Sequence, residues 1–126
     1  MARSVLIVDD EQHIRLLIEQ ALEELVDNGI DLYTAADGDE ALGAIEAQRP
    51  DLVFLDVMMP KRNGIDVCRA VRGDLGMADV HIVLLTAKGQ AQDRETGLAA
   101  GANRYLTKPF DPDELLAIAR EVLGAA

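Results

Sequence analysis

Four apolar residues in a row, Val5 to Val8, run directly into three carboxylates, Asp9, Asp10 and Glu11. An apolar run without polar alternation predicts a strand covered on both faces, as in parallel sheets. Ile14, Leu17, Ile18, Ala21, Leu22 and Leu25 then recur at helical spacing, and Asn28-Gly29 supplies a stop, which predicts one helix. The alternation repeats. Residues 30–36 predict a second strand, and Asp37 with Glu40 in capping-box spacing opens a helix that closes before Pro50. Residues 51–56, "DLVFLD", read as a third buried strand. After the loop "VMMPKRNG", Ile65, Cys68 and Val71 mark one face of a third helix, and residues 80–86 predict a fourth strand. Residues 90–100 predict the weakest helix, because the apolar side chains there are small and Gly97 sits among them. A fifth strand over 103–107 leads to "DPDELLAIAREVLG", with Asp111 as cap, Pro112 at the first helical position and Glu114 completing a capping box.

Five strand–helix units in series predict an α/β fold, a doubly wound parallel sheet with helices on both faces. In such sheets chemistry gathers at the carboxyl ends of the strands. Asp9 and Asp10 end the first predicted strand, Asp56 the third and Thr86 the fourth, and Lys108 follows the fifth. Two like charges 4 Å apart cost on the order of 4 kcal/mol at an effective dielectric near 20, so a neutralising partner is expected. Carboxylates clustered without His or Cys suit a hard divalent cation such as Mg²⁺, which takes one or two carboxylates and keeps several waters.

Composition narrows the partners. The 126 residues, 49% apolar and 28% charged, fit one globular domain. A net charge of −11 argues against direct contact with nucleic acid or an anionic membrane. The single cysteine, Cys68, excludes an internal disulfide and falls on an apolar helix face, where packing is the expected role. No stretch of 18 apolar residues and no apolar leader occurs, so a cytoplasmic protein is expected.

The segments "VDDE", "LDVMMPKRNG", "LLTA" and "YLTKPF", in this order at successive predicted strand ends, resemble a response-regulator receiver domain of the chemotaxis-regulator type, over residues 5–123. The resemblance implies a flavodoxin-like (βα)5 fold with strand order 2-1-3-4-5, which seats Asp9 and Asp10 opposite Asp56. With "EVLGAA" soon after the fifth helix, a single receiver domain over 1–126 without an output domain is expected, either a whole regulator or a piece of a longer protein. The implied function is a phosphorylation-operated switch in a two-component system or phosphorelay. It is no classical enzyme, though it catalyses its own phosphorylation and slow dephosphorylation. Asp56 would accept a phosphoryl group from a histidine kinase or histidine phosphotransfer protein. Asp10, Asp56 and the main-chain carbonyl of Met58 would ligate Mg²⁺, or Mn²⁺ in its place, with Asp9 acting through water. Lys108 and Thr86 would contact the phosphoryl oxygens. Thr86 and Tyr105 would form the switch, and the fourth helix, fifth strand and fifth helix would present the output face to a downstream effector protein. The Met58 and Lys88 side chains would tune phosphoryl loss, small Ala87 would leave the pocket open, and Lys108-Pro109 is the usual place of a cis peptide.

Two other functions share parts of this pattern. A phosphohydrolase of the haloacid-dehalogenase type expects a second Asp two residues after the nucleophile, where this chain has Met58. A flavodoxin-like flavin carrier needs a phosphate-cradling loop after the first strand, where "DDEQ" would repel the phosphate. His13 and His81 lack a recognisable phosphohistidine context and are expected to be solvated or locally hydrogen-bonded.

Overall fold

The structure is a computed structural model that describes residues 3–87 and 91–124. Its elements are β1 (Ser4–Val8), α1 (Gln12–Ala21), α2 (Glu23–Asp27), β2 (Asp31–Ala35), α3 (Gly38–Gln48), β3 (Leu52–Asp56), α4 (Gly64–Arg72), β4 (His81–Thr86), α5 (Ala91–Ala99), β5 (Arg104–Thr107) and α6 (Pro112–Leu123). The strands form one parallel sheet in the order β2-β1-β3-β4-β5.

The continuous apolar runs follow from that order. In β1, Leu6 and Val8 enter the core under α3 and α4, while Val5 and Ile7 enter the core under α1, α2 and α6. The same split divides Val53 and Leu55 from Leu52 and Phe54, and Ile82 and Leu84 from Val83 and Leu85. Alternate side chains point to opposite faces, so a central strand covered on both sides has no polar position to show.

Three expectations are refined. The first predicted helix is two, interrupted at Leu22, whose N–H is shared between the carbonyls of Ile18 and Glu19 at 3.1 and 3.2 Å. Ile18, Leu22 and Leu25 stay buried through the break, so burial alone cannot distinguish one helix from two. The α6 cap differs from a capping box. Asp111 Oδ1 accepts from the N–H of Asp113 at 2.9 Å, whereas Asp37 Oδ1 does accept from Glu40 N–H, at 2.8 Å. In α5, the sparse apolar pattern reflects close approach: a Cβ on Gly97 would stand 2.1 Å from Leu84 Cδ1 in β4. No helix among the described residues is long and apolar enough to cross a membrane.

Candidate functional site

Strand register assembles the site. Val8 pairs with Leu55, so the next residue of each strand, Asp9 and Asp56, meet at the carboxyl edge of the sheet. Asp9 is fully buried and Asp56 is 4% exposed, while Asp10 is exposed. One carboxylate oxygen from each of Asp9, Asp10 and Asp56 lies within 4.8 Å of the others. Oxygen-only donors, two of them withdrawn from water, fit a hard divalent cation, with Mg²⁺ favoured over softer metals.

The expected repulsion already has a partial answer within the chain. Lys108 Nζ stands 2.9 Å from Asp9 Oδ2, 3.4 Å from Asp56 Oδ1 and 3.9 Å from Glu11 Oε1. The sequence reading gave Lys108 only to an incoming phosphoryl group, and here it also pairs with the carboxylates themselves. Burial pulls the Lys108 pKa down, but hydrogen bonding to Asp9 and the charges of Asp56 and Asp9 outweigh that and leave it raised. Neutralisation is incomplete at Asp56. Burial, joined by the Asp9 charge, pushes its carboxyl up to about 7 against the pull of Lys108 and the Met58 N–H.

The backbone around Asp56 is held from below. A Cβ on Gly64 would lie 2.3 Å from the Asp56 carbonyl oxygen, so the start of α4 sits directly against the end of β3. Gly64 N–H donates to the Val57 carbonyl at 2.9 Å, and Met58 N–H donates to Asp56 Oδ1 at 3.3 Å. The loop between them rests on α3 in the same way: a Cβ on Gly38 would meet the Arg62 carbonyl oxygen at 2.3 Å.

A family model described as the response regulator receiver domain matches residues 5–120. The chain belongs to that family. Among curated relatives, the "probable transcriptional regulator ycf27" of Guillardia theta is 49% identical over 119 residues, covering 94% of this chain and 44% of that protein. The alkaline phosphatase synthesis transcriptional regulatory protein PhoP of Bacillus subtilis is 44% identical, covering 98% of this chain and 49% of its own length. The chain thus spans about half the length of the curated relatives it matches. Among solved structures, a putative response regulator from Chloroflexus aurantiacus superposes with a TM-score of 0.86 at 35% identity, covering 98% of this chain and 99% of that one. The chemotaxis response regulator CheY4 of Vibrio cholerae gives 0.83 at 35% identity, covering 97% and 99%. A BeF3-activated DrrB receiver domain gives 0.84 at 31% identity, covering 98% and 99%.

Within this receiver, Asp9, Asp10, Asp56 and Lys108 come together as expected. Buried Thr86 donates its hydroxyl to the Leu106 carbonyl at 3.3 Å, and its own carbonyl accepts from Lys108 N–H at 2.7 Å, which ties the ends of β4 and β5. Tyr105 is half-buried on β5, and the Arg94 guanidinium of α5 lies 4.5 Å from its ring centroid. Met58 is 59% exposed, Ala87 is exposed, and the Lys108-Pro109 peptide is cis. Lys88 lies outside the described residues. Cys68 is buried in the core, as expected. His13 is 74% exposed and faces Glu11 at 3.5 Å. His81 is half-buried, and only its Nε2 departs from the solvated or hydrogen-bonded expectation: that atom is buried without a partner among the described residues, and desolvation lowers the His81 pKa.

Besides the Lys108 pairings, sequence reasoning missed two further contacts. Arg94 over Tyr105 joins residues 11 positions apart, and Arg15, which reaches the Asp9 carbonyl, reads in sequence as an ordinary solvated helix residue.

Proposed function

We propose that this receiver is a phosphorylation-operated switch in which Asp56 takes a phosphoryl group from the phosphohistidine of a histidine kinase or histidine phosphotransfer protein. The observation that carries the reading is the convergence of Asp9, Asp10, Asp56 and Lys108 on one buried edge. An Asp56 carboxylate oxygen attacks phosphorus, the P–N bond to the donor imidazole breaks, and the imidazole leaves with that electron pair. Mg²⁺, held by Asp10, Asp56 and the Met58 carbonyl with Asp9 through water, would supply positive charge to the carboxylates and the incoming phosphoryl oxygens. Lys108 then exchanges an Asp56 contact for a phosphoryl oxygen.

The output follows from exchanged hydrogen bonds. Thr86 gives up the Leu106 carbonyl for a phosphoryl oxygen, and a bond to a charged group contributes about 1.5–3 kcal/mol. That falls short of the roughly 5.5 kcal/mol needed to invert a 1:99 equilibrium, so Lys108 or a bound partner adds the rest. Tyr105 turns inward behind Thr86, the Met58 and Lys88 side chains tune phosphoryl lifetime, and the α5–β5–α6 face changes for a downstream effector protein. An open depression of about 470 Å³ beside Tyr105, Pro109, Phe110 and Glu114 lies on that side. The net charge of −11 favours a protein partner over nucleic acid for this domain itself.

Incubation with acetyl phosphate or phosphoramidate and Mg²⁺ is expected to add one phosphoryl mass to the wild type and none at position 56 of Asp56→Asn. An unchanged wild-type mass with several competent donors would overturn the switch. A second expectation concerns the output side. The Arg94–Tyr105 contact favours the half-buried ring position of this structure over one turned further inward, and at an exposed site is worth about 0.5–1 kcal/mol. Arg94→Ala should therefore raise the inward population of the unphosphorylated protein about two- to fivefold. Fluorotyrosine NMR in a Tyr33→Phe background reads that population directly.

A further inference from the structure

Arg15 lies one turn into α1, partly buried, and its Nη1 donates to the main-chain carbonyl oxygen of Asp9 at 2.6 Å. That carbonyl belongs to the peptide joining Asp9 to Asp10. The β1–β3 pairing ends at Val8, so the sheet does not hold this peptide on the β3 side. The turn has other anchors, and among the described residues none of them bonds the Asp9 carbonyl. Asp9 N–H donates to Ala35 at 3.2 Å, Glu11 N–H donates to Asp9 Oδ1 at 3.0 Å, and the Glu11 carbonyl accepts from Ile14 and Arg15 N–H groups. An uncompensated change of ψ at Asp9, which a free carbonyl would allow, would swing the Asp10 backbone and carry its exposed carboxylate away from Asp56.

We infer that Arg15 is a positioning residue for the cation site: by clamping the Asp9 carbonyl it fixes the peptide that aims Asp10 at Asp56. The inference rests on reading the three carboxylates as a divalent-cation site. Coulomb's law makes the opposite prediction for a guanidinium acting only as a charge. A positive group near the site repels the incoming cation, so its removal would tighten binding. Positioning requires that removal weaken it, and the sign of the change separates the two.

The test is calorimetric titration of the intact protein with Mg²⁺, and separately Mn²⁺, at fixed pH and ionic strength. Arg15→Ala should bind each ion about tenfold more weakly than wild type, the low end of the loss seen when groups supporting metal ligands are removed. Arg15→Lys keeps a donor able to reach the carbonyl and should stay within about threefold. Thermal midpoints in EDTA should change little across the set. If Arg15→Ala lowers that midpoint, Arg15→Met, which keeps the apolar stem and lacks donors, replaces it and should show the same tenfold loss. Equal or tighter binding by the donor-less variants overturns the inference, as does equal weakening by Arg15→Lys. Failure of the wild type to bind either ion overturns the cation site itself, and the inference with it.

Discussion

Metal-free Asp56→Asn is expected to be more stable than the wild type near pH 8, by up to about 4 kcal/mol, and nearly equal to it near pH 4. The Asp56 carboxyl moves from 3.8 to about 7 on folding. Below about pH 3 the group is protonated in both states and costs nothing. Between 4 and 7 the unfolded chain releases a proton that the folded chain retains, so wild-type stability falls by about 1.4 kcal/mol per pH unit. Above about 7 both states are ionised and the full cost persists. Asparagine carries no charge to desolvate beside Asp9 and should remove this dependence. Urea unfolding of both proteins across the range, in EDTA, measures it, and parallel profiles would exclude a strained Asp56. Saturating Mg²⁺ should then recover stability in the wild type and much less in Asp56→Asn, because binding to the folded state alone stabilises by mass action.

Gly64→Ala should cost about 2–3 kcal/mol and depress phosphorylation with it. The added Cβ would stand 2.3 Å from the Asp56 carbonyl oxygen and 3.0 Å from both the Asp56 carbonyl carbon and Val57 Cα. All three are backbone atoms, so no rotamer change relieves the clash, and either α4 or the end of β3 must shift. The better helix propensity of alanine offsets only about 1 kcal/mol. Gly43 in α3 is the matched control, exposed and with nothing within 4 Å of an added Cβ. Gly43→Ala should therefore stabilise by about 0.5–1 kcal/mol. Chemical denaturation of the pair reads both signs, and similar behaviour at the two positions would refute the close approach at Gly64.

The apolar runs at β1, β3 and β4 were legible because a strand buried on both faces leaves no polar position, and the carboxylates ending β1 and β3 and the hydroxyl ending β4 stood out against them. The α5 region was harder to read. Its lack of large apolar residues looked like weakness, whereas Gly97 lets the helix backbone lie on Leu84, a contact between residues 13 positions apart that periodicity cannot register. The break at Leu22 was hidden because the buried positions Ile18, Leu22 and Leu25 suit either one helix or two.

Sequence alone determined the α/β class, which strand ends carry carboxylates, and the need for positive charge near Asp9, Asp10 and Asp56, since periodicity and Coulomb repulsion are local and can be read along the chain. Strand order was available only through resemblance. The tertiary structure decided how the charge is met: Lys108, 99 residues beyond Asp9, reaches its carboxylate at 2.9 Å, and Arg15 turns back onto the Asp9 carbonyl. Such contacts depend on where separate elements pack, and no pattern of residue types along one segment encodes that.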